Sequence, residues 1–109
     1  MMKQTNSVEA ARAFKERVRA WAAKVRVKPK QVRLQAMRRK WASCSSAGRV
    51  TFSLDLLEEA SSFQDYVIVH ELIHLKVPNH GKLFTSLLSA HLQGYNRYKA
   101  NPKAKSRSL

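Results

Sequence analysis

The first part of the chain has apolar residues at the spacing of an amphipathic helix. They are Val8, Ala11, Phe14, Val18, Trp21, Ala22 and Val25, and basic side chains stand among them. We predict a helix over residues 7–27, with Ser7 as its N-cap and Pro29 just beyond its end. A chain of 109 residues needs such an apolar stripe for its core, so core packing is favoured over membrane binding.

Two segments with alternating apolar residues follow this helix. Residues 31–37 and 49–56 place these side chains on one face of each segment: Val32, Leu34 and Ala36, then Val50, Phe52, Leu54 and Leu56. We predict two strands that form an antiparallel hairpin. The connection contains Trp41 and Cys44 and has the Ser and Gly content of a loop, and loops of about ten residues are often functional. An exposed edge of the second strand could hold an extended peptide, unless the rest of the chain covers it.

The C-terminal half has two further helical patterns. Ser61 or Ser62 can cap a helix over residues 63–77, which Pro78 and Asn79 end, and a second helix is predicted over residues 81–92. After Gly94 the chain is basic and lacks an apolar period. We therefore predict one domain over residues 1–94 and a flexible basic tail over residues 95–109. The fold class is α+β, with an N-terminal helix, a small antiparallel sheet and two C-terminal helices.

The first of these C-terminal helices contains the motif His70-Glu71-Leu72-Ile73-His74. Residues four apart lie on the same face of a helix, so both imidazoles can reach one metal ion. Glu71 is rotated by about 100° from His70, which suits a general base that acts on water without binding the metal. We predict one Zn²⁺ ion, because zinc lowers the pKa of water towards 7 and this motif is typical of zinc hydrolases.

His80 is the predicted third metal ligand. A catalytic zinc site usually has three protein ligands, and a chain reversal after Pro78 could bring His80 back against the helix. The spacing equals that of the metzincins, but Val77 stands where those proteins have Gly, so we do not assign the chain to that group. His91 is expected to pack or to act outside the ligand set, and for Cys44 a structural role is favoured over metal binding.

The positive charge of the chain is concentrated in its first half. The net charge is +14; residues 1–50 contain 14 Lys or Arg against Glu9 and Glu16, whereas residues 51–75 contain five acids and no Lys or Arg. A basic flank attracts polyanions such as nucleic acid, although a solubilising surface explains the same pattern equally well. Arg38, Arg39 and Lys40 could contact such a polyanion or stabilise negative charge on a substrate oxygen.

Composition restricts the class of protein and its compartment. A hydrophobic content of 44% with 26% charged residues is typical of a globular protein, and no apolar run approaches the roughly 20 residues that span a bilayer. The N-terminus has no apolar segment of a signal peptide, and the single Cys44 cannot form an internal disulfide. We therefore expect a cytoplasmic protein without membrane association.

Several blocks of the chain, in this order, resemble the YgjP-like metallopeptidase domain. The blocks are Lys28-Pro29-Lys30, residues 39–48 around Trp41-Ala42-Ser43-Cys44, residues 65–75 around the His70 to His74 motif, and Asn79-His80-Gly81-Lys82-Leu83-Phe84. The resemblance covers about residues 28–88. It implies a zincin-like α+β fold related to the SprT-like and WLM proteases, with His70, His74 and His80 as metal ligands and Glu71 as base.

Three functions are compatible with these features. The first is a zinc metallopeptidase that cleaves proteins or peptides, and we rank it first. The second keeps the same metal site but hydrolyses a phosphate ester or nucleotide, which the basic flank would attract. The third is a non-catalytic nucleic-acid-binding module that zinc only stabilises.

Overall fold

The computed structural model describes the backbone of residues 2–109 and the side chains of residues 8–109. Along the chain its elements are α1 (Met2–Val25), β1 (Gln31–Gln35), β2 (Ala42–Cys44), β3 (Arg49–Ser53), a 3-10 turn (Leu54–Glu58), α2 (Ser61–His74), α3 (Lys82–His91), α4 (Tyr95–Lys99) and α5 (Pro102–Ser106). The predicted α+β class is confirmed. Within the described residues, no helix is long and apolar enough to cross a membrane.

Helix α1 packs its apolar stripe into the core, as its periodicity predicts. Phe14, Val18 and Val25 are almost completely buried. The helix begins before the predicted cap at Ser7 and ends at Val25, because Arg26 adopts the left-handed conformation that commonly ends a helix, with φ of 66°. Helix α1 therefore ends before Pro29 is reached.

A shared acceptor holds α1 against α2. The Arg17 guanidinium forms an ion pair with the Asp65 carboxylate, and the Trp21 indole N–H donates to the same carboxylate at 3.0 Å. Arg17 also donates to the side-chain oxygen of Gln64 at 2.6 Å. These contacts join two elements that carry opposite charge in the sequence, and they set the position of the helix that carries the His70 to His74 motif.

The sheet is mixed, and the predicted antiparallel hairpin of residues 31–37 with residues 49–56 is wrong. Strand β1 pairs with β3 in parallel, and β2 pairs with β3 antiparallel, so the order is β1-β3-β2. Strand β2 lies inside the segment predicted to be a loop. Its three residues are too few to show a period of two in the sequence.

The true hairpin joins β2 to β3 through a tight turn. The Gly48 N–H donates to the Ser45 carbonyl at 3.0 Å, and the Ser45 N–H donates to the Arg49 carbonyl at 2.9 Å. Gly48 has φ of 89°, a conformation that a residue with a side chain rarely adopts. The chain between β1 and β2 belongs to the crossover connection that the parallel pairing of β1 with β3 requires.

Helix α2 is the central element of the core. From Phe63 to Ile73 every residue except Asp65 is buried. Its N-cap is Ala60, without a side-chain hydrogen bond, so the predicted cap by Ser61 or Ser62 is wrong. The Gln64 amide reaches back instead and donates to the carbonyls of Leu57 and Glu59, at 3.3 and 3.0 Å.

The chain after Gly94 differs from the predicted flexible tail. It forms α4 and α5, and the Trp41 indole N–H donates to the Lys103 carbonyl at 2.7 Å. Tyr95, Tyr98 and Ala104 pack against the core while they remain partly exposed, so no continuous apolar period marks the segment in the sequence. The division into a domain at residues 1–94 and a separate tail stays a prediction.

Candidate metal centre

Three imidazoles meet beside the C-terminal end of α2. His70 and His74 lie one turn apart on that helix, with ring centroids 4.9 Å apart. The chain reverses after Pro78 and places the His80 ring 5.1 Å from the His70 ring and 4.6 Å from the His74 ring. Among the described residues, these three histidines form the group whose possible ligand atoms all lie within 4.8 Å of one another.

The geometry and the electrostatics of the three rings fit a metal ion. A tetrahedral ion with bonds of about 2.0 to 2.1 Å holds its ligand atoms about 3.3 Å apart, so small side-chain movements suffice. The Nε2 atoms of His74 and His80 are already 2.8 Å apart. Burial lowers the pKa of both His74 and His80, and the nearby His70 lowers it further. Neutral imidazoles have the free lone pair that a metal requires.

One aromatic side chain supports all three rings. The Phe84 centroid is 5.0 Å from that of His70 and 4.7 Å from those of His74 and His80. Because Phe84 is buried on α3, this helix restricts the orientation of the imidazoles. The sequence marks Phe84 only as part of the block Asn79-His80-Gly81-Lys82-Leu83-Phe84, without a role at the site. Its position four residues after His80, on the next helix, was the available signal.

Glu71 lies between the core and the cleft. Its side chain is almost fully buried, and one carboxylate oxygen is 3.1 Å from Nδ1 of His70. If that nitrogen carries the proton, it donates to Glu71 and leaves Nε2 of His70 free to bind a metal. Glu71 also lines the cavity that His74 and His80 line, so its carboxylate is next to the three imidazoles without belonging to their group.

The cleft in front of these residues is a cavity of about 560 Å³. Its walls come from the segment around β2, from α2, from the turn after α2, and from the C-terminal segment: Lys40, Ala42, Ser43, Cys44, Ser45, Ser46, Glu71, His74, Pro78, His80, Ser108 and Leu109. The edge strand beside the site is therefore β2. Of the two possibilities for the edge of residues 49–56, the structure has the covered one, because β3 is the central strand and pairs on both sides.

The three basic residues predicted near the site are not equivalent. Lys40 lines the cleft, whereas Arg38 and Arg39 are exposed and do not line it. The main chain of Arg39 helps to hold a residue of the cleft wall, since its carbonyl accepts a hydrogen bond from the Ser108 N–H at 3.1 Å.

A second, smaller cavity also borders two of the imidazoles. It has a volume of about 270 Å³, and its walls include Tyr66, His70, His80, Tyr95 and Lys99. Burial raises the pKa of Tyr66, whose ring centroid is 6.1 Å from that of His70. Sequence reasoning missed these aromatic and basic neighbours, because Tyr95 and Lys99 reach the site only through the unpredicted helix α4.

Two further candidates lie outside the ligand group. Cys44 and His91 are not part of the His70, His74 and His80 cluster within the part of the chain that the structure describes. Cys44 is half-buried in the cleft wall, and burial raises its pKa, with the Glu71 charge adding to the effect. A raised pKa keeps the thiol protonated, and a protonated thiol is a poor metal ligand.

Comparison with known proteins agrees with this geometry. Residues 1–104 match the family model of the YgjP-like metallopeptidase domain. The structure is similar to the crystal structure of the metallopeptidase zymogen of Pyrococcus abyssi abylysin, with a TM-score of 0.75 and 17% sequence identity, over 88% of this chain and 99% of that one. At this identity the likeness shows the fold, and it confirms the zincin-like architecture. No curated protein is significantly similar to the chain.

The raised pKa of Cys44 predicts how the thiol reacts with pH. Because the folded protein disfavours the thiolate, alkylation by iodoacetamide should remain slow until the pH rises above the ordinary pKa of 9.0. The measurement is the alkylation rate between pH 7 and 10, followed by mass spectrometry, with protein unfolded in guanidinium as the control. A midpoint in the folded protein at or below that of the unfolded chain would contradict the prediction.

Proposed function

Because the chain belongs to the YgjP-like metallopeptidase family, we propose that it is a zinc-dependent peptidase whose metal is held by His70, His74 and His80, with Glu71 as general base. The observation that carries the proposal is a group of three imidazoles within reach of one another and of one buried carboxylate, beside a cleft that His74, His80 and Glu71 line. Family membership favours a peptide bond over a phosphate ester as the bond that is cleaved.

Zinc, when bound, supplies a Lewis acid that lowers the pKa of water to about 7 and polarises a carbonyl group. The chain supplies the proton transfer. The Glu71 carboxylate accepts the proton of the attacking water as the new C–O bond forms, and then returns it to the nitrogen of the leaving amine as the C–N bond breaks. Its burial favours this role, because electrostatic interactions are stronger away from solvent.

The cleft also offers a place for an extended substrate. Strand β2 pairs with β3 on one side only, and its residues Ala42, Ser43 and Cys44 line the cavity. Backbone groups at such an edge can bind a peptide as an additional strand. Of the three basic residues that could stabilise negative charge on a substrate oxygen, Lys40 is favoured because it lines the cleft.

Replacing Glu71 by Gln tests the proposed chemistry. The amide oxygen of Gln can still accept a hydrogen bond from His70, so zinc should stay bound, while the base is lost. We expect cleavage of a mixture of fluorogenic peptides to fall by about 10² to 10⁴-fold. The measurement is peptide cleavage by zinc-loaded protein of known metal content.

The control for this experiment is Glu58→Gln, which changes an exposed acid outside the cleft and should leave the rate unchanged. Hydrolysis of p-nitrophenyl phosphate, measured in parallel, separates peptidase from phosphate-ester hydrolase. A Glu71→Gln protein that holds zinc and cleaves peptides at the original rate would contradict the role of Glu71.

A second candidate function is suggested by a basic groove at the junction of α1 and β1. This groove has a volume of about 820 Å³, and four of the side chains that line it are cationic: Arg19, Arg26, Lys28 and Lys30. Clustered cations of this kind bind the phosphates of nucleic acid, with affinity that falls as salt rises. We propose that this groove contributes a polyanion-binding surface beside the peptidase function.

Charge reversal tests the basic groove. The double variant Lys28→Glu with Lys30→Glu should weaken binding of a fluorescent single-stranded oligonucleotide by at least tenfold and reduce the salt dependence of the affinity. Fluorescence anisotropy at several salt concentrations measures both. A matched reversal of charge outside the groove, Lys15→Glu with Lys105→Glu, is the control. Equal losses in both double variants would mean that diffuse charge, rather than the groove, binds the polyanion.

A further inference from the structure

Ser108 and Leu109 form part of the wall of the cleft. We propose that residues 103–109 form an autoinhibitory segment, which occupies the entrance that a peptide substrate needs and must move away before the substrate binds. The proposal rests on the proposed peptidase function and concerns the regulation of the same site. We call residues 103–109 the C-terminal strap.

The strap is held by main-chain hydrogen bonds to the segment that leads into β2. The Trp41 N–H donates to the Ser108 carbonyl at 2.7 Å, and the Ser108 N–H donates to the Arg39 carbonyl at 3.1 Å. Lys40 and Ser108 form a parallel bridge. The strap therefore uses backbone groups at the edge of the sheet, next to the three residues of β2 that line the cleft.

A single side chain anchors the strap from the other direction. Arg107 forms an ion pair with Asp55 at 3.0 Å, and it donates to the Met37 carbonyl at 3.2 Å and to the Ser53 hydroxyl at 3.4 Å. Its guanidinium also lies over the Trp41 ring, 4.3 Å from the centroid. Loss of this side chain removes several contacts at once and uncovers one face of the Trp41 ring.

The end of the strap shares its cavity with the candidate catalytic residues. Ser108 and Leu109 form part of the wall of the same 560 Å³ space as Glu71, His74 and His80. A substrate chain long enough to reach both β2 and the imidazoles must therefore compete with the strap. Four of the seven strap residues, Ser108 among them, are exposed, while Ala104 and Leu109 pack against the core and remain partly exposed, so displacement costs a limited buried surface.

The neighbouring part of the strap has a plain structural role, which defines the alternative. The Lys103 carbonyl accepts the indole N–H of Trp41, and the Lys103 ammonium pairs with Glu59 at 3.2 Å. A strap that only completes the packing of Trp41 would leave substrate access unchanged when Arg107 is removed. The two roles therefore differ in what happens to binding in the cleft.

The test compares two ligands of the zinc-loaded protein of residues 1–109. Acetohydroxamate needs only the metal, whereas a tripeptide hydroxamate also needs the space along β2. Arg107→Ala should tighten binding of the peptide hydroxamate by about tenfold, because it removes charge-assisted hydrogen bonds that hold the strap. The same variant should leave acetohydroxamate binding unchanged. Ser108→Pro, which removes the N–H that bonds to Arg39, should have the same effect.

The matched control is Lys105→Ala, which removes one exposed positive charge from the same strap. Calorimetry measures the affinities for both hydroxamates. Hydrogen exchange of the Trp41 backbone amide reports whether the strap is released, and we expect this exchange to be faster in the two strap variants. A freed Trp41 amide with unchanged or weaker peptide hydroxamate binding would overturn the proposal. Failure of acetohydroxamate to bind any of the proteins would instead overturn the proposed zinc site, and the inference with it.

Discussion

The structure depends on the burial of α2, a helix that is apolar on almost all sides and still carries an ionisable carboxylate. Val67, Ile68, Val69, Leu72 and Ile73 are fully buried between the sheet and the other helices. An isolated charge in such surroundings costs several kcal/mol, so Glu71 needs polar partners close by. The contact with His70 and the open cleft provide them. The same packing that stabilises the small domain thus leaves one short stretch of α2 facing the cleft.

This constraint explains why the supporting elements are arranged as they are. Asp65 binds Arg17 and Trp21 and fixes one end of α2 to α1, while Phe84 packs on the three imidazoles at the other end. Between these two points the helix has little freedom to rotate. Preorganised ligands of this kind lower the entropic cost of binding a metal. The position of the imidazoles is therefore a consequence of the core packing.

Local patterns predicted much of the fold and the grouping of His70, His74 and His80, while long-range partners could not be predicted in this way. The period of α1 and the His70 to His74 spacing depend on residues within one or two helical turns, and sequence alone indicates them. Strand β2 is three residues long, and its pairing with β3 depends on the turn at Gly48. The parallel pairing of β1 with β3 has no signature in the local sequence of either strand. The cap of α2 depends on Gln64 reaching two carbonyls outside the helix.

The same distinction applies to the residues around the cleft. His80 was accessible to sequence reasoning because Pro78 indicates a reversal close to the motif. By contrast, the contacts of Arg107 with Asp55 and Met37, and of Ser108 with Arg39, join segments about 50 to 70 residues apart. The basic composition of residues 95–109 predicted a solvated tail, because single polar contacts with the main chain produce no periodic pattern.

Bound metal is the direct test of whether His70, His74 and His80 together hold one zinc ion. Protein purified without a histidine tag is analysed for bound metal by elemental analysis, beside the His80→Ala variant and a His91→Ala control. We expect close to one zinc per chain in the original protein and the control, and a large loss in His80→Ala. A stably folded protein that contains no zinc and takes up none when it is added would show that the three histidines do not form a zinc site.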